Sequence, residues 1–502
     1  MIKSPGSSIP IFKIKVQEKG KIKDIKEIIV RIQGLPSCLN GQLVDFGRDV
    51  RGIIMGYDEE DVLCLVLGDQ SRLRMGQEVV GVSEPFKIPV GLRFVGRMVT
   101  ALGVPCDEGE PVAVETYLPV FKDSAPITHR APVDEFLPTG TKVVDIAVPL
   151  AKGQRQLILG DRMTGKTVIA VDAIINQRGR GTLCIYCCVG KSQSGLGKIM
   201  ATLNETGSLA HTVVMVATDN SPVGEQYLIP FAAATMGEYF ATLGRDVLVV
   251  FDDLTKHAWA YGQLSLLLER PPGREAYPGD IFYVQTQLME RAGRYNKAHG
   301  GGSMSYIAIA ETLQGDLTGY IPSNLASMSD GQICMSSTIF AEGVRPAIDL
   351  PLSLSIIGGR VHPPILKELS RGLRTEFAHY TEVVKLSKLQ SGLSEEAERI
   401  VDRGRAIMSL FQQPQYAPVS LAEEVLLLFA FRQGLYAGLS EKARQAFRSG
   451  IYAFACEHDG ALLEAIERDQ RLTPEIEHGL NAVTRAHLRA VEGAETGGTE
   501  AM

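Results

Sequence analysis

Gly160 and Gly165, with Lys166 and Thr167 immediately after the second glycine, complete a GxxxxGK[ST] pattern that follows the apolar run Leu157-Ile158-Leu159. Glycines at those places let the backbone curl, so that successive N–H groups and the start of the next helix point at anionic oxygens. Asp161, Arg162, Met163 and Thr164 form the loop between them. The Lys166 ammonium is placed to reach the outer phosphates of a nucleotide, and the Thr167 hydroxyl to take a coordination place on magnesium. A magnesium site needs a second carboxylate, usually at the end of an apolar strand, and Val247-Leu248-Val249-Val250-Phe251 ends in Asp252-Asp253. Asp252 is the candidate, acting through water. These residues predict a bound nucleoside triphosphate; a turn that binds nothing has no need of Lys-Thr after the second glycine.

Such groups must be held by strands and helices. From about Lys142 to Leu354 apolar strands alternate with helical stretches: Gln156 to Leu159, Leu183 to Val189, Thr212 to Ala217, Val247 to Phe251 and Ser305 to Ala310. This predicts a parallel sheet covered on both faces. Before it, five short strands broken by turns, Glu27 to Ile32, Gly41 to Val44, Gly52 to Met55, Val62 to Val66 and Glu78 to Val82, suit a small closed barrel. Prolines at 111, 119, 126, 132 and 138 make the connector extended. Beyond Pro364 the pattern is helical; Ser420 with Glu423 forms a capping box, and Thr473-Pro474 sets a cap and first-turn proline. The expected division is a barrel domain over 1–92, an α/β nucleotide-binding domain over 93–364, an all-α domain over 365–491 and a disordered tail over 492–502.

The 502 residues exceed one hydrophobic core. A net charge of -7 argues against a general nucleic-acid binder, which needs a concentrated basic surface. No apolar run approaches the roughly 20 residues that span a bilayer, so a soluble chain is expected. Eight scattered cysteines make no disulfide framework; Cys184, Cys187 and Cys188 sit in an apolar strand and read as core thiols. His257 and His379 lack metal-ligand spacing.

The chain resembles the alpha subunits of rotary F-type ATP synthases. The resemblance is carried by GDRMTGKT (160–167), DAIINQRG (172–179), MGEYF (236–240), FDDLTKHAWAYGQLSLLLERPPGREAYPGDIFY (251–283), ETLQGDLTGYIPSNLASMSDGQI (311–333) and RPAIDLPLSLS (345–355). RPPGREAYPGD beside a phosphate loop is highly specific. The resemblance implies a RecA-like central domain and an alternating hexamer with beta subunits, which carry the catalytic sites. It also implies a gamma-type central stalk, a peripheral stalk, and indirect coupling to a membrane ion channel at the cytoplasmic face of the cell membrane. On this reading the chain binds ATP and Mg2+, works in ATP synthesis or hydrolysis without splitting ATP itself, and has an adenine pocket at Phe340, Arg345, Pro346, Gln413 and Gln415.

Where catalytic beta subunits place a glutamate and alpha subunits usually a glutamine, this chain has Lys191, which accepts no proton from water. Alpha subunits also carry an arginine that reaches the neighbouring beta site, and Ile356 stands in its place. Such an arginine is worth about 10³ to 10⁵ in rate. Either Arg360, beyond Gly358-Gly359, serves instead, or the subunit supports little catalysis by its partner. The displacement, about 13 Å if extended, favours the second. Met163 replaces a loop glutamine, the loop over 296–303 is short, the turn over 389–394 lacks an acidic pair expected near the stalk, and Pro5 and Pro10 replace an amphipathic helix expected at the peripheral stalk. The alternatives are a hexameric RNA-translocating ATPase, which the acidic balance, Lys191 and the helical C-terminal region oppose, and a structural ring subunit without nucleotide exchange.

Overall fold

The computed structural model describes residues 18–499 apart from 48–49, 59, 69 and 388–393. The expectations about Pro5, Pro10 and the turn over 389–393 lie outside the described residues. Six strands, Glu18–Lys26 (β1), Ile29–Gln33 (β2), Gln42–Gly47 (β3), Val50–Tyr57 (β4), Asp61–Leu67 (β5) and Glu78–Pro85 (β6), close into a barrel in the order β1-β2-β5-β4-β3-β6. Five match the expected strands and β1 is an addition. Its sequence is dominated by lysine and acidic residues, so its alternation is hard to see, yet Ile22 is buried and pairing of β1 with both β2 and β6 removes the free edges. Val30, Ile32, Val44 and Ile54 fill the barrel, while Ile29, Ile53, Leu63 and Leu65, on the opposite face of their strands, join the core of the central domain.

The connector is extended, as its prolines require. Lys87–Val90 (β7) pairs with Thr116–Pro119 (β9), while Met98–Thr100 (β8) joins the main sheet as an edge strand that the sequence reading missed. Arg130–Ala131 (β10), Phe136–Leu137 (β11), Lys142–Ala147 (α1) and Leu150–Ala151 (β12) lead into that sheet. Its remaining strands are Arg155–Gly160 (β13), Leu183–Val189 (β14), Thr212–Ala217 (β15), Asp246–Asp252 (β16), Gly293–Tyr295 (β17), Ser303–Glu311 (β18), Gly331–Met335 (β19) and Ile348–Ser355 (β20). The order is β20-β19-β13-β18-β16-β14-β15-β8, with β17 against β18 and β10 against β17. The strands expected from apolar runs pair parallel; β20 closes one edge antiparallel to β19.

Helices cover both faces. On β14, Cys184, Tyr186 and Cys188 point to the face carrying Lys166–Asn176 (α2) and Gln193–Glu205 (α3), and Ile185, Cys187 and Val189 point to the other. That other face carries Val223–Thr242 (α4), Leu254–Leu267 (α5), Ile281–Met289 (α6) and Tyr320–Met328 (α7); Ser337–Ala341 (α8) follows β19. Burial on both sides explains why these strands read as unbroken apolar runs. The three cysteines are buried thiols, with that of Cys188 pushed up to about 12 by burial and by Asp252.

Arg291 and Glu238 tie α4 to the segment after α6. The guanidinium is 1% exposed and donates to both carboxylate oxygens at 2.8 Å, to Thr235 Oγ1 and to the carbonyls of Val120 and Phe231.

Gly358–Val361 (α9), Pro364–Leu369 (α10), Leu373–Ser387 (α11), Glu395–Phe411 (α12), Leu421–Arg432 (α13), Glu441–His458 (α14), Gly460–Asp469 (α15) and Pro474–Thr499 (α16) form the helical region. Ser420 caps α13 by accepting from the Glu423 N–H at 3.2 Å, and Thr473 caps α16 by accepting from Ile476 at 3.3 Å. The last helix runs to Thr499, past the boundary drawn at 491/492, and 500–502 lie outside the described residues. Among the described residues no helix is long and apolar enough to cross a membrane.

Candidate nucleotide site

Because β13, β14, β16 and β18 run parallel, their C-terminal ends emerge on one edge of the sheet, with Gly160 opposite Glu311 and Cys188 opposite Asp252. The crevice beyond such an edge is where open α/β sheets bind ligands. The loop from β13 turns directly into α2 at Gly165, whose φ of 98° is a left-handed conformation that a side chain resists. The Lys166 ammonium donates to the carbonyls of Gly160 at 2.8 Å and Asp161 at 2.7 Å. Burial holds its pKa below the ordinary value, against the pull of Glu311, Asp253 and Asp252. The rest of the loop is clamped from outside: the Asp161 carboxylate accepts from Thr312 Oγ1 at 2.7 Å and the Gly315 N–H at 2.8 Å. Thr164 Oγ1 donates to the Asp161 carbonyl, and Arg162 pairs with Glu311 at 2.9 Å. Met163 points to solvent.

Asp252, rather than its neighbour, faces this loop. Asp253 caps α5, accepting from the Lys256 N–H at 2.8 Å, and burial followed by the Asp252 charge lifts its pKa to about 7. Asp252 Oδ2 accepts from Thr167 Oγ1 at 2.8 Å and from the Tyr186 hydroxyl at 2.8 Å. The two expected magnesium ligands therefore converge, but Lys191 Nζ lies 3.0 Å from Asp252 Oδ2 and donates to Thr167 Oγ1 at 3.1 Å. Burial alone would favour the neutral amine; the Asp252 carboxylate outweighs it and holds the Lys191 pKa above its ordinary value. Both oxygens expected to hold a divalent cation are thus already engaged by an ammonium, so this donor set does not fit magnesium as the sequence suggested.

Beside the loop lies a partly open cleft whose lining includes all five residues expected to hold adenine: Phe340, Arg345, Pro346, Gln413 and Gln415. The Arg345 guanidinium stacks 3.4 Å above the Phe340 ring centroid and donates to the Phe340 carbonyl at 2.6 Å. The Gln413 amide is committed elsewhere: its Nε2 donates to the carbonyls of Gly140 at 2.7 Å and Ala417 at 2.9 Å, and its Oε1 accepts from the Lys142 N–H. Its side chain joins the connector to the helical region instead of offering free groups to a base. Val168, Ile169 and Asp172, on one face of α2, complete the wall with Thr164 and Gly165. Asp172 was quoted in the sequence only as part of a motif; here it is a buried acid with Oδ1 unpartnered, and burial raises its pKa to about 7.

Sequence reasoning also missed Tyr186 and Thr312. Tyr186 looked like core, and only the register between β14 and β16 puts its hydroxyl on Asp252. His257 is buried, with Nε2 against the Tyr227 carbonyl at 3.1 Å and its pKa lowered to about 4 by burial; His379 is exposed.

Ile356 and Arg360 lie away from this crevice, at the edge of the sheet that β20 forms. Ile356 is 73% exposed. Gly358 is not a free joint: a Cβ there would come within 2.8 Å of the Pro149 carbonyl and Ser355 Oγ. Residues 358–361 coil into a helical turn, so the four residues from Ile356 to Arg360 advance nearer to about 6 Å than the extended distance. Arg360 is exposed, with no ion pair or side-chain hydrogen bond among the described residues.

Three family models cover the sequence in the order of these domains. All three describe the ATP synthase alpha/beta family: its beta-barrel domain matches residues 15–82, its nucleotide-binding domain 140–355, and its C-terminal domain 363–487. ATP synthase subunit alpha of Nitrosomonas europaea is 40% identical over 475 residues, spanning 92% of this chain and 93% of the relative. That of Clostridium acetobutylicum is 39% identical over 464 residues, 92% of each chain. ATP synthase subunit alpha 1 of a Marinomonas species is 39% identical over 457 residues, 91% of this chain and 90% of the relative. These likenesses do not favour an RNA-translocating motor. A complete phosphate loop at the edge of a parallel sheet, a barrel before it and a helical region after it thus have one common source: the chain belongs to the family of ATP synthase alpha subunits.

Proposed function

We propose that the chain is a regulatory, non-catalytic ATP-binding subunit of the soluble head of an ion-translocating rotary ATP synthase. It alternates with beta-type subunits in a hexamer, around a gamma-type central stalk and against a peripheral stalk. The complex sits peripherally on the cytoplasmic face of the cell membrane and couples proton or sodium movement to ATP synthesis or hydrolysis. The observation that carries this reading is Lys191. A phosphate loop with an adjoining cleft has, at the place where hydrolysis requires a proton acceptor, an ammonium tied to Asp252 and Thr167.

Gly160 to Thr167 cradle the phosphates, with Lys166 on the outer ones. Phe340, Arg345, Pro346 and Gln415 surround the base, and Gln413 supports that wall through its own hydrogen bonds. Arg360, exposed on its helical turn, is the cation offered to the neighbouring subunit in place of an arginine at Ile356. Equilibrium dialysis of the purified protein with labelled ATP, alongside a turnover assay, tests the reading: retention with negligible hydrolysis is expected. Brisk turnover by the isolated subunit, or no retention, would overturn it.

A further inference from the structure

The geometry points to a nucleotide site in which the Lys191 ammonium takes the role of the divalent cation, so that this chain binds metal-free nucleoside triphosphate about as well as the magnesium complex. The inference deepens the reading of this crevice as a nucleotide site and rests on it.

One carboxylate oxygen, Asp252 Oδ2, collects Thr167 Oγ1 at 2.8 Å, the Tyr186 hydroxyl at 2.8 Å and Lys191 Nζ at 3.0 Å. Lys191 Nζ also donates to Thr167 Oγ1 at 3.1 Å, so the hydroxyl both gives its proton to Asp252 and receives one from the ammonium. Magnesium demands near-octahedral oxygen ligands at about 2.0–2.1 Å, and an ammonium bridging the same two oxygens competes for that shell. A lysine is a compact, strongly hydrated point charge with three donors, suited to phosphate oxygens without a metal between.

The lysine is also held in place from its backbone. It follows the end of β14 through Gly190, at φ 60°, where an added Cβ would meet Gln226 Oε1 and Lys256 Cβ at 3.2 Å, and its own carbonyl accepts from the Asp219 N–H at 3.0 Å. Lys166 is held by the Gly160 and Asp161 carbonyls and Lys191 by Asp252 and Thr167, so two ammonium groups are fixed at the phosphate loop. A neutral side chain at 191 would leave Thr167 and Asp252 without that charge and return the work of neutralisation to a divalent ion.

The test is ATP affinity of the full-length protein at constant ionic strength, with excess magnesium and with EDTA, for the wild type and for Lys191→Gln and Lys191→Met. The wild type should give dissociation constants within about threefold of each other, and the variants should weaken at least tenfold when magnesium is removed. Electron paramagnetic resonance with manganese supplies a second readout: protein-bound manganese should appear with ATP in the variants and not in the wild type. A tenfold or larger loss of wild-type affinity in EDTA would overturn the inference, and needs no variant to fold. Variants as indifferent to metal as the wild type would overturn the role of Lys191. Absence of ATP binding by the wild type in both conditions would overturn the underlying nucleotide reading and this inference with it, a result distinct from metal-dependent binding.

Discussion

The phosphate-loop edge and the β20 edge belong to one sheet and are built on opposite terms. At the first, Lys166, Thr167, Lys191 and Asp252 are mostly enclosed and hydrogen-bonded to one another or to the loop, so a single subunit already holds its charged groups in register. At the second, Leu352, Leu354 and Ile356 expose 50%, 42% and 73% of their surface at alternate positions along a strand and just past it, and Arg360 stands beyond them in solvent. A row of large apolar groups on an edge strand is the kind of surface at which subunits meet. On the hexameric reading proposed above, the first region is finished by folding and the second by assembly.

The sharpest attack on that contrast is Arg360→Ala in a ring reconstituted with beta-type subunits. If the second region contributes a cation to its neighbour, turnover should fall by about 10³ or more, on the order of 4 kcal/mol. Unchanged turnover would reduce that edge to a packing surface. Asp172, in the wall of the first region, has a folded pKa of about 7, above the ordinary 3.8. A raised pKa means that the folded state holds the proton more tightly; the stabilisation is complete below about pH 4 and is lost as pH rises through 7. Relative to Asp172→Asn, the wild type should therefore lose up to about 4 kcal/mol between pH 4 and pH 8. Urea unfolding of both proteins across that range checks the sign, and a difference that grows in the opposite direction would be inconsistent with a buried acid.

Within the loop, Lys166→Ala should raise the dissociation constant for ATP about 100-fold, roughly 3 kcal/mol, with little change in ring assembly. Dialysis and sedimentation separate the two effects. The converse and smallest change is Leu354→Asp, which should weaken assembly with partner subunits by about tenfold, roughly 1.4 kcal/mol, while ATP affinity of the isolated subunit stays the same. If Leu354→Asp altered nucleotide affinity instead, the separation of the two regions would fail.

Much of the first region was legible because its chemistry is local. Gly160, Gly165, Lys166 and Thr167 are neighbours in the sequence, and the apolar runs at Leu183–Val189 and Thr212–Ala217 coincide with β14 and β15. Strand β1 was not legible, because lysines and acids on its outer face mask the few apolar residues that close the barrel. Nor was the commitment of Gln413, whose partners Gly140 and Lys142 are far away in the sequence.

Short-range order in the amino acids therefore specified the anion cradle, the alternation of strands and helices, and the substitution of lysine at 191 and isoleucine at 356. What the lysine touches came from folding alone: Thr167, Tyr186, Lys191 and Asp252 lie on or just beyond three different elements, and they meet because parallel strands deliver their ends to one edge. Coulomb attraction and hydrogen bonding act over a few ångströms, so whether an ammonium bridges two oxygens is decided by strand register, which no spacing along the sequence encodes.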